Sequence, residues 1–141
     1  MTEIAFHVNT PDKVGYACRL LRKAWGAGSK VTVTGDPALL RELDAALWTF
    51  SAVDFVPHCY DAPGPVRERT PIVLADTSQG APHREVLLNL GADVPQGFER
   101  FERLIEVVTA DESDLQRGRL RWKHYASRGY AMTRHDLAQA R

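Results

Sequence analysis

Cysteine is scarce. Cys18 and Cys59 stand far apart in 141 residues with no CxxC pair, which gives no footing to a disulfide framework or a zinc ribbon and fits a reducing cytoplasm. Long apolar runs are missing too: nothing approaches the roughly 20 residues that cross a bilayer, and the opening MTEIAFHVNT has no basic stretch followed by an apolar one. A cytoplasmic chain, neither secreted nor inserted in a membrane, is expected. Net charge is also absent, with 18 basic residues against 18 acidic. A hydrophobic fraction of 44% and a charged fraction of 26% exclude disordered and fibrous classes. The length points to one domain over residues 1–141, able to bury about two thirds of the surface of its unfolded chain.

The motifs of catalysis and cofactor binding are lacking as well. Gly26-x-Gly28-Ser29-Lys30 resembles half a phosphate loop, but it leads from a helix into a strand, so no helix N-terminus faces a phosphate. The first strand-to-helix turn, Asn9-Thr10-Pro11-Asp12-Lys13, holds no glycine and puts an acid where phosphate would sit. No GxSxG or HExxH is present. His58-Cys59 is the densest His/Cys cluster, while His83, His124 and His135 have no paired neighbour. Structural zinc needs four ligands, so His58 reads as a surface-loop histidine and Cys59 as a small apolar residue. Glu99 with Glu102, and Asp111 with Glu112, read as solvated faces or helix-start charge. No catalytic residue, metal or cofactor is assigned.

What is present is an alternation of strands and helices. Residues 3–8 place Ile4, Phe6 and Val8 on one side, and the turn at 9–12 starts a helix whose stripe is Val14, Cys18, Leu21 and Trp25. Residues 30–34 (KVTVT) form a short β-branched strand. Asp36 and Pro37 then open a second helix carrying Leu40, Leu43 and Leu47. A third strand is expected at 53–56, stopped by Pro57, then a Pro- and Gly-rich loop over 61–71 and a strand at 72–75. After a loop at 76–83 come strands at 85–90 and 104–109, with a brief helix over 98–103 between them. A last helix starts from a Ser113 cap and stops before Gly129. This order predicts a three-layer α/β/α fold on a mostly parallel sheet, nucleotide-binding-like in topology but without a phosphate loop.

The charge is unevenly spread. From Ser113 onward stand Arg117, Arg119, Arg121, Lys123, Arg128, Arg134 and Arg141 against Asp114 and Asp136, interleaved with Trp122, Tyr125 and Tyr130. On the last helix Leu115, Gly118, Trp122, Tyr125 and Gly129 share one side, and Arg119 and Lys123 border it. Such a seam is either core flanked by solvated arginines or a surface for an anionic partner with something apolar to bury. The partner would be an acidic peptide, or single-stranded nucleic acid contacted directly through phosphates and stacked bases.

Two stretches resemble the chi subunit of bacterial DNA polymerase III, an accessory protein of the clamp loader. Leu43-Asp44-Ala45-Ala46-Leu47-Trp48, followed by Asp54-Phe55-Val56-Pro57-His58, is similar to that family's LDxxLW and SFVPH block. Arg119-Leu120-Arg121-Trp122-Lys123-His124-Tyr125 with Gly129-Tyr130 is similar to its RxRYKxY and GF. The resemblance implies no catalysis by this chain itself and two protein partners: the acidic C-terminal tail of single-stranded DNA-binding protein, and the psi subunit. Single-stranded DNA would be reached indirectly. By motif position Arg119, Trp122, Lys123 and Val108 match tail-binding residues, and Trp48 and Phe55 the psi-binding patch. Leu115 stands where the family has a tail-contacting lysine, and Ala126 where an arginine follows the tyrosine.

Overall fold

A computed structural model describes residues 1–49 and 56–138. In chain order the elements are β1 (Glu3–Thr10), α1 (Lys13–Gly26), β2 (Val31–Thr34), α2 (Pro37–Thr49), β3 (His58–Tyr60) and α3 (Gly64–Arg69). There follow β4 (Ile72–Ala75), β5 (Val86–Asn89), one 3-10 turn at Phe98–Arg100, β6 (Arg103–Thr109), α4 (Glu112–Ser127) and β7 (Met132–Asp136). The strands lie in the order β3-β4-β2-β5-β6-β1-β7, and among the described residues every pairing is parallel. Parallel neighbours need crossover connections, and these supply the outer layers. Helices α1 and α2 pack on one face of the sheet and α4 on the other, giving the three-layer architecture expected.

The two-residue period of a strand sorts each side chain to a layer. On β6, Ile105 and Val107 join the α1 and α2 core, while Leu104 and Val108 join Ile4, Phe6 and Val8 of β1 beneath α4. The predicted helix stripes reach their cores: Val14, Cys18 and Leu21 of α1 and Leu40, Leu43 and Leu47 of α2 are buried. Trp25, in the last turn of α1, stays 37% exposed. Asp12 caps α1 by accepting from the Gly15 amide at 2.9 Å. Gly28, with φ +81°, turns the chain through the left-handed region that glycine enters freely.

Several boundaries differ from the expectation. Residues 58–60 form a strand just after Pro57, where a residue without an N–H fits ahead of a ladder; of the strand expected at 53–56, positions 53–55 lie outside the described residues. The stretch 61–71 contains α3, whose Pro65 falls in the first turn, where its missing donor costs nothing. The helix expected over 98–103 is a single turn, since Arg103 is already paired with Glu3 and Val86. Asp111 rather than Ser113 caps α4, accepting from the Asp114 amide at 3.2 Å. Strand β7 has no counterpart in the sequence reading. Its MTRHD carries almost no apolar signal, and it forms because it lies in register on β1, from Ile4 opposite Met132 to Val8 opposite Asp136.

Beneath α4 the core is ionic as well as apolar. Glu106 is fully buried and accepts from Arg121 Nε at 3.0 Å, Asn89 Nδ2 at 2.9 Å and the Tyr125 hydroxyl at 2.5 Å. Arg121, 2% exposed, also donates to the Ala92 carbonyl at 2.7 Å. Burial pushes the Glu106 carboxyl up to about 7, with Arg121 opposing the shift. Burial and the neighbouring carboxylate raise the Tyr125 hydroxyl. One of the seven C-terminal cations is thus internal and adds nothing to the basic surface.

Candidate functional site

Helix α4 lies very close to the sheet where Gly118 crosses Val108. A Cβ on Gly118 would sit 2.9 Å from Val108 Cγ2, so only glycine permits this approach. Beside the crossing, a cleft of about 210 Å³ opens between α4 and strands β6, β1 and β7. Leu115, Gly118, Arg119 and Trp122 form its helical wall, Val108, Phe6 and Val8 line its sheet side, and Asn9 and Arg134 border it at β1 and β7. Trp122 is half-buried and meets Phe6 edge-to-face, with ring centroids 5.1 Å apart at 67°. Arg119 is exposed. The arrangement offers a guanidinium beside an apolar slot with an indole in its wall, chemistry suited to a carboxylate that carries an aromatic group.

Three of the four residues matched to tail binding, Arg119, Trp122 and Val108, therefore line one cleft. Lys123 is exposed on α4 and outside that lining. Two polar residues of the cleft were not found in the sequence. Arg134 sits in a strand without hydrophobic alternation, and Asn9 adopts φ +58° at the end of β1. Asn9 Nδ2 donates to Asp136 at 2.8 Å, and Arg134 lies 3.4 Å from the same carboxylate. The Asn9 hydrogen bond comes first among the causes that hold Asp136 below the usual carboxylate range.

The remaining C-terminal charge is divided. Asp114 pairs with Lys13 at 2.8 Å and accepts from the Thr109 amide at 2.7 Å, tying the starts of α1 and α4 together. Burial alone would raise its carboxyl, but these donors outweigh it and hold it low. Arg117 faces a different cleft, of about 600 Å³ at the ends of β2 and β5, together with Asp36, Asp76 and Asp93. Three carboxylates against one guanidinium repel a phosphate.

At the other end of the sheet Trp48, in the last turn of α2, is 57% exposed. Its ring lies 4.8 Å from that of His58, whose Nε2 is 3.1 Å from Asp44 and whose Nδ1 is 2.7 Å from the Val56 carbonyl. His58 is buried at the start of β3 and is not the surface-loop histidine that the sequence suggested. Burial pushes the Cys59 thiol up, which suits an unreactive cysteine. Phe55 lies outside the described residues. Among the described residues no group of three His, Cys, Asp or Glu side chains is placed to hold a metal ion, and no helix is long and apolar enough to cross a membrane.

A family model described as "DNA polymerase III chi subunit, HolC" matches residues 1–133. A DNA polymerase III subunit chi of Pseudomonas aeruginosa is 31% identical over 97% of this chain and 98% of its own length. The subunit chi of Haemophilus influenzae is 26% identical over 86% of this chain and 85% of its own. That of Escherichia coli is 28% identical over 80% and 78%.

Proposed function

This chain belongs to the DNA polymerase III chi subunit family, accessory rather than catalytic components of the replicative holoenzyme, and on that premise we propose that the α4 cleft holds the acidic C-terminal tail of single-stranded DNA-binding protein. Through that tail the chain, folded as one domain in the cytoplasm, connects the clamp loader to coated single-stranded DNA. The observation that carries the reading is the meeting of Arg119, Trp122 and Val108 in one cleft of about 210 Å³. A peptide ending in aspartates, proline and phenylalanine presents a terminal carboxylate for the guanidinium and a ring for the apolar slot. The charged hydrogen bonds contribute about 1.5–3 kcal/mol and the ring a similar amount. Together these amount to about 3–6 kcal/mol before the cost of ordering the peptide, short of the roughly 8 kcal/mol of a micromolar complex, so these two contacts alone give weak capture fit for exchange.

Titration of the protein with such a peptide tests this. Arg119→Ala should abolish most binding and leave the unfolding transition unchanged; wild-type affinity in that variant sinks the reading. Tight binding of bare oligonucleotide, weakening steeply with salt, would favour direct nucleic-acid contact instead.

The second contact proposed is with the psi subunit, through Trp48 and Phe55. Its support is the 57% exposure of a tryptophan, a large apolar surface of the kind found at interface hot spots. Trp48→Ala should abolish co-purification with psi while tail binding persists. Retention of psi at wild-type yield would remove Trp48 from that surface.

A further inference from the structure

We propose that Arg134 on β7 is the second cation of the α4 cleft, replacing from the sheet edge a charge that α4 itself does not present, and that it selects peptides with acidic residues upstream of the terminal ring. This rests on the tail-binding reading above. The C-terminal cations are dispersed. Arg121 is buried on Glu106, Arg117 faces the aspartate-lined cleft, and Lys123 and Arg128 lie outside the lining of the α4 cleft. Helix α4 therefore contributes Arg119 alone, and Leu115 makes its neighbouring wall apolar. An acidic tail carries several carboxylates, and one guanidinium holds one of them.

The strand register supplies the missing charge. Arg134 is the direct partner of Phe6 in the β1–β7 pairing, and strand neighbours lie about 4.8 Å apart. Its side chain projects from the same face as Phe6, whose ring touches Trp122, so Arg134 stands across the cleft from α4. Strand β7 is the last of the sheet, and the Arg134 side chain is 55% exposed. Asp136 holds it only at 3.4 Å, while that carboxylate already accepts from Asn9 at 2.8 Å and from the Ala138 amide at 3.0 Å. Asp136 thus holds the guanidinium by one long contact and does not saturate it. With the terminal carboxylate at Arg119 and the ring between Val108 and Trp122, the upstream residues leave over β1 and pass Arg134.

The test compares two peptides, each ending in proline and phenylalanine, one with upstream aspartates and one with asparagines in their place. Arg134→Gln should weaken the aspartate peptide roughly three- to fivefold, the range of an exposed charge pair, and flatten its salt dependence. It should leave the asparagine peptide unchanged, whereas Arg119→Ala weakens both. Adding Leu115→Lys to Arg134→Gln should restore the aspartate peptide, and Arg134→Lys should retain most of the affinity. Unchanged affinity of Arg134→Gln for the aspartate peptide, with Arg119→Ala defective, overturns the assignment and leaves the tail site standing. Equal loss on both peptides overturns it too, since that is damage to the cleft. If the unaltered protein binds neither peptide, the tail site itself fails and this inference with it.

Discussion

The two faces of the sheet are built from the same strands with opposite chemistry. Under α1 and α2 the core is dominated by apolar side chains, from Val14 and Leu21 across Val33 and Leu88 to Leu43, with His58 against Asp44 at its β3 edge. Under α4, Phe6, Val8, Phe98 and Leu104 surround Glu106, Arg121, Asn89 and the hydroxyl of Tyr125. An apolar face tolerates small shifts of its helices at a modest cost, because its contacts have no direction. A hydrogen-bonded ion pair does not. Turning α4 about its axis would pull Arg121 and Tyr125 from Glu106 and leave charge buried without a partner. The ionic face therefore fixes which residues of α4 meet the cleft, and Leu115, Gly118, Arg119 and Trp122 are presented because Arg121 and Tyr125 are anchored. The face that carries the cleft is the face that is oriented.

Breaking the anchor gives the largest expected effect. Arg121→Met should lower stability in denaturant titration by about 3–5 kcal/mol at pH 8, where the buried Glu106 carboxyl, no longer held down by Arg121, must either take up a proton or stay charged without its ion-pair partner. The loss should shrink at pH 5, where the carboxyl takes up a proton. Combining Arg121→Met with Glu106→Leu should recover most of it. A double variant as unstable as the single one would mean that packing rather than charge dominates. For comparison, Leu43→Ala on the apolar face costs about 2–5 kcal/mol at every pH.

The next effect sharpens the comparison through pH. Glu106 titrates near 7 in the fold against 4.5 as its ordinary value, so between these values the folded chain binds more protons than the unfolded one. Stability contributed by this group is complete below about 4.5 and falls as pH rises to 7, by on the order of 3 kcal/mol. His7, on the opposite face of β1, runs the other way: burial, with His135 and Arg103 nearby, depresses it from 6.5 to about 4, so its part of stability rises with pH over that window. The two slopes oppose each other. Glu106→Gln should expose the rising slope of His7, to which His83, also held low by burial, adds; an unchanged pH profile in that variant would show that Glu106 is ionised throughout.

The smallest of these changes concerns the helix-to-sheet approach. Gly118→Ala places a methyl 2.9 Å from Val108 and should cost about 1–3 kcal/mol as α4 lifts. Tail-peptide affinity should fall further than stability does, because the cleft changes shape with the crossing. Full affinity in a destabilised variant would separate the cleft from the crossing.

Much of this architecture was legible in the chain. The stripes of α1 and α2 and the β-branched run of β2 predicted their elements because each carries a full apolar period. The reading failed where that signal is weak or inverted. Strand β7 is polar and short, and only the free edge of β1 makes it a strand. Arg121 lies three residues after Gly118 and four before Tyr125, which puts it on the inward side of α4. Its charge argued for solvent, and a single sequence does not reveal that Glu106 waits on β6. The cleft was half visible: Arg119 and Trp122 follow from helical spacing, whereas Asn9 and Arg134 come from strands more than 100 residues apart in the chain.

By itself the sequence determined the kind of fold and the helix that carries the charged aromatic seam, since local periodicity and capping act over a few neighbours and need no partner. Tertiary structure decided how that charge is spent, because electrostatic pairing depends on distance in space. It took Arg121 inside to Glu106, turned Arg117 to another cleft and brought Arg134 across from the sheet edge to face Arg119.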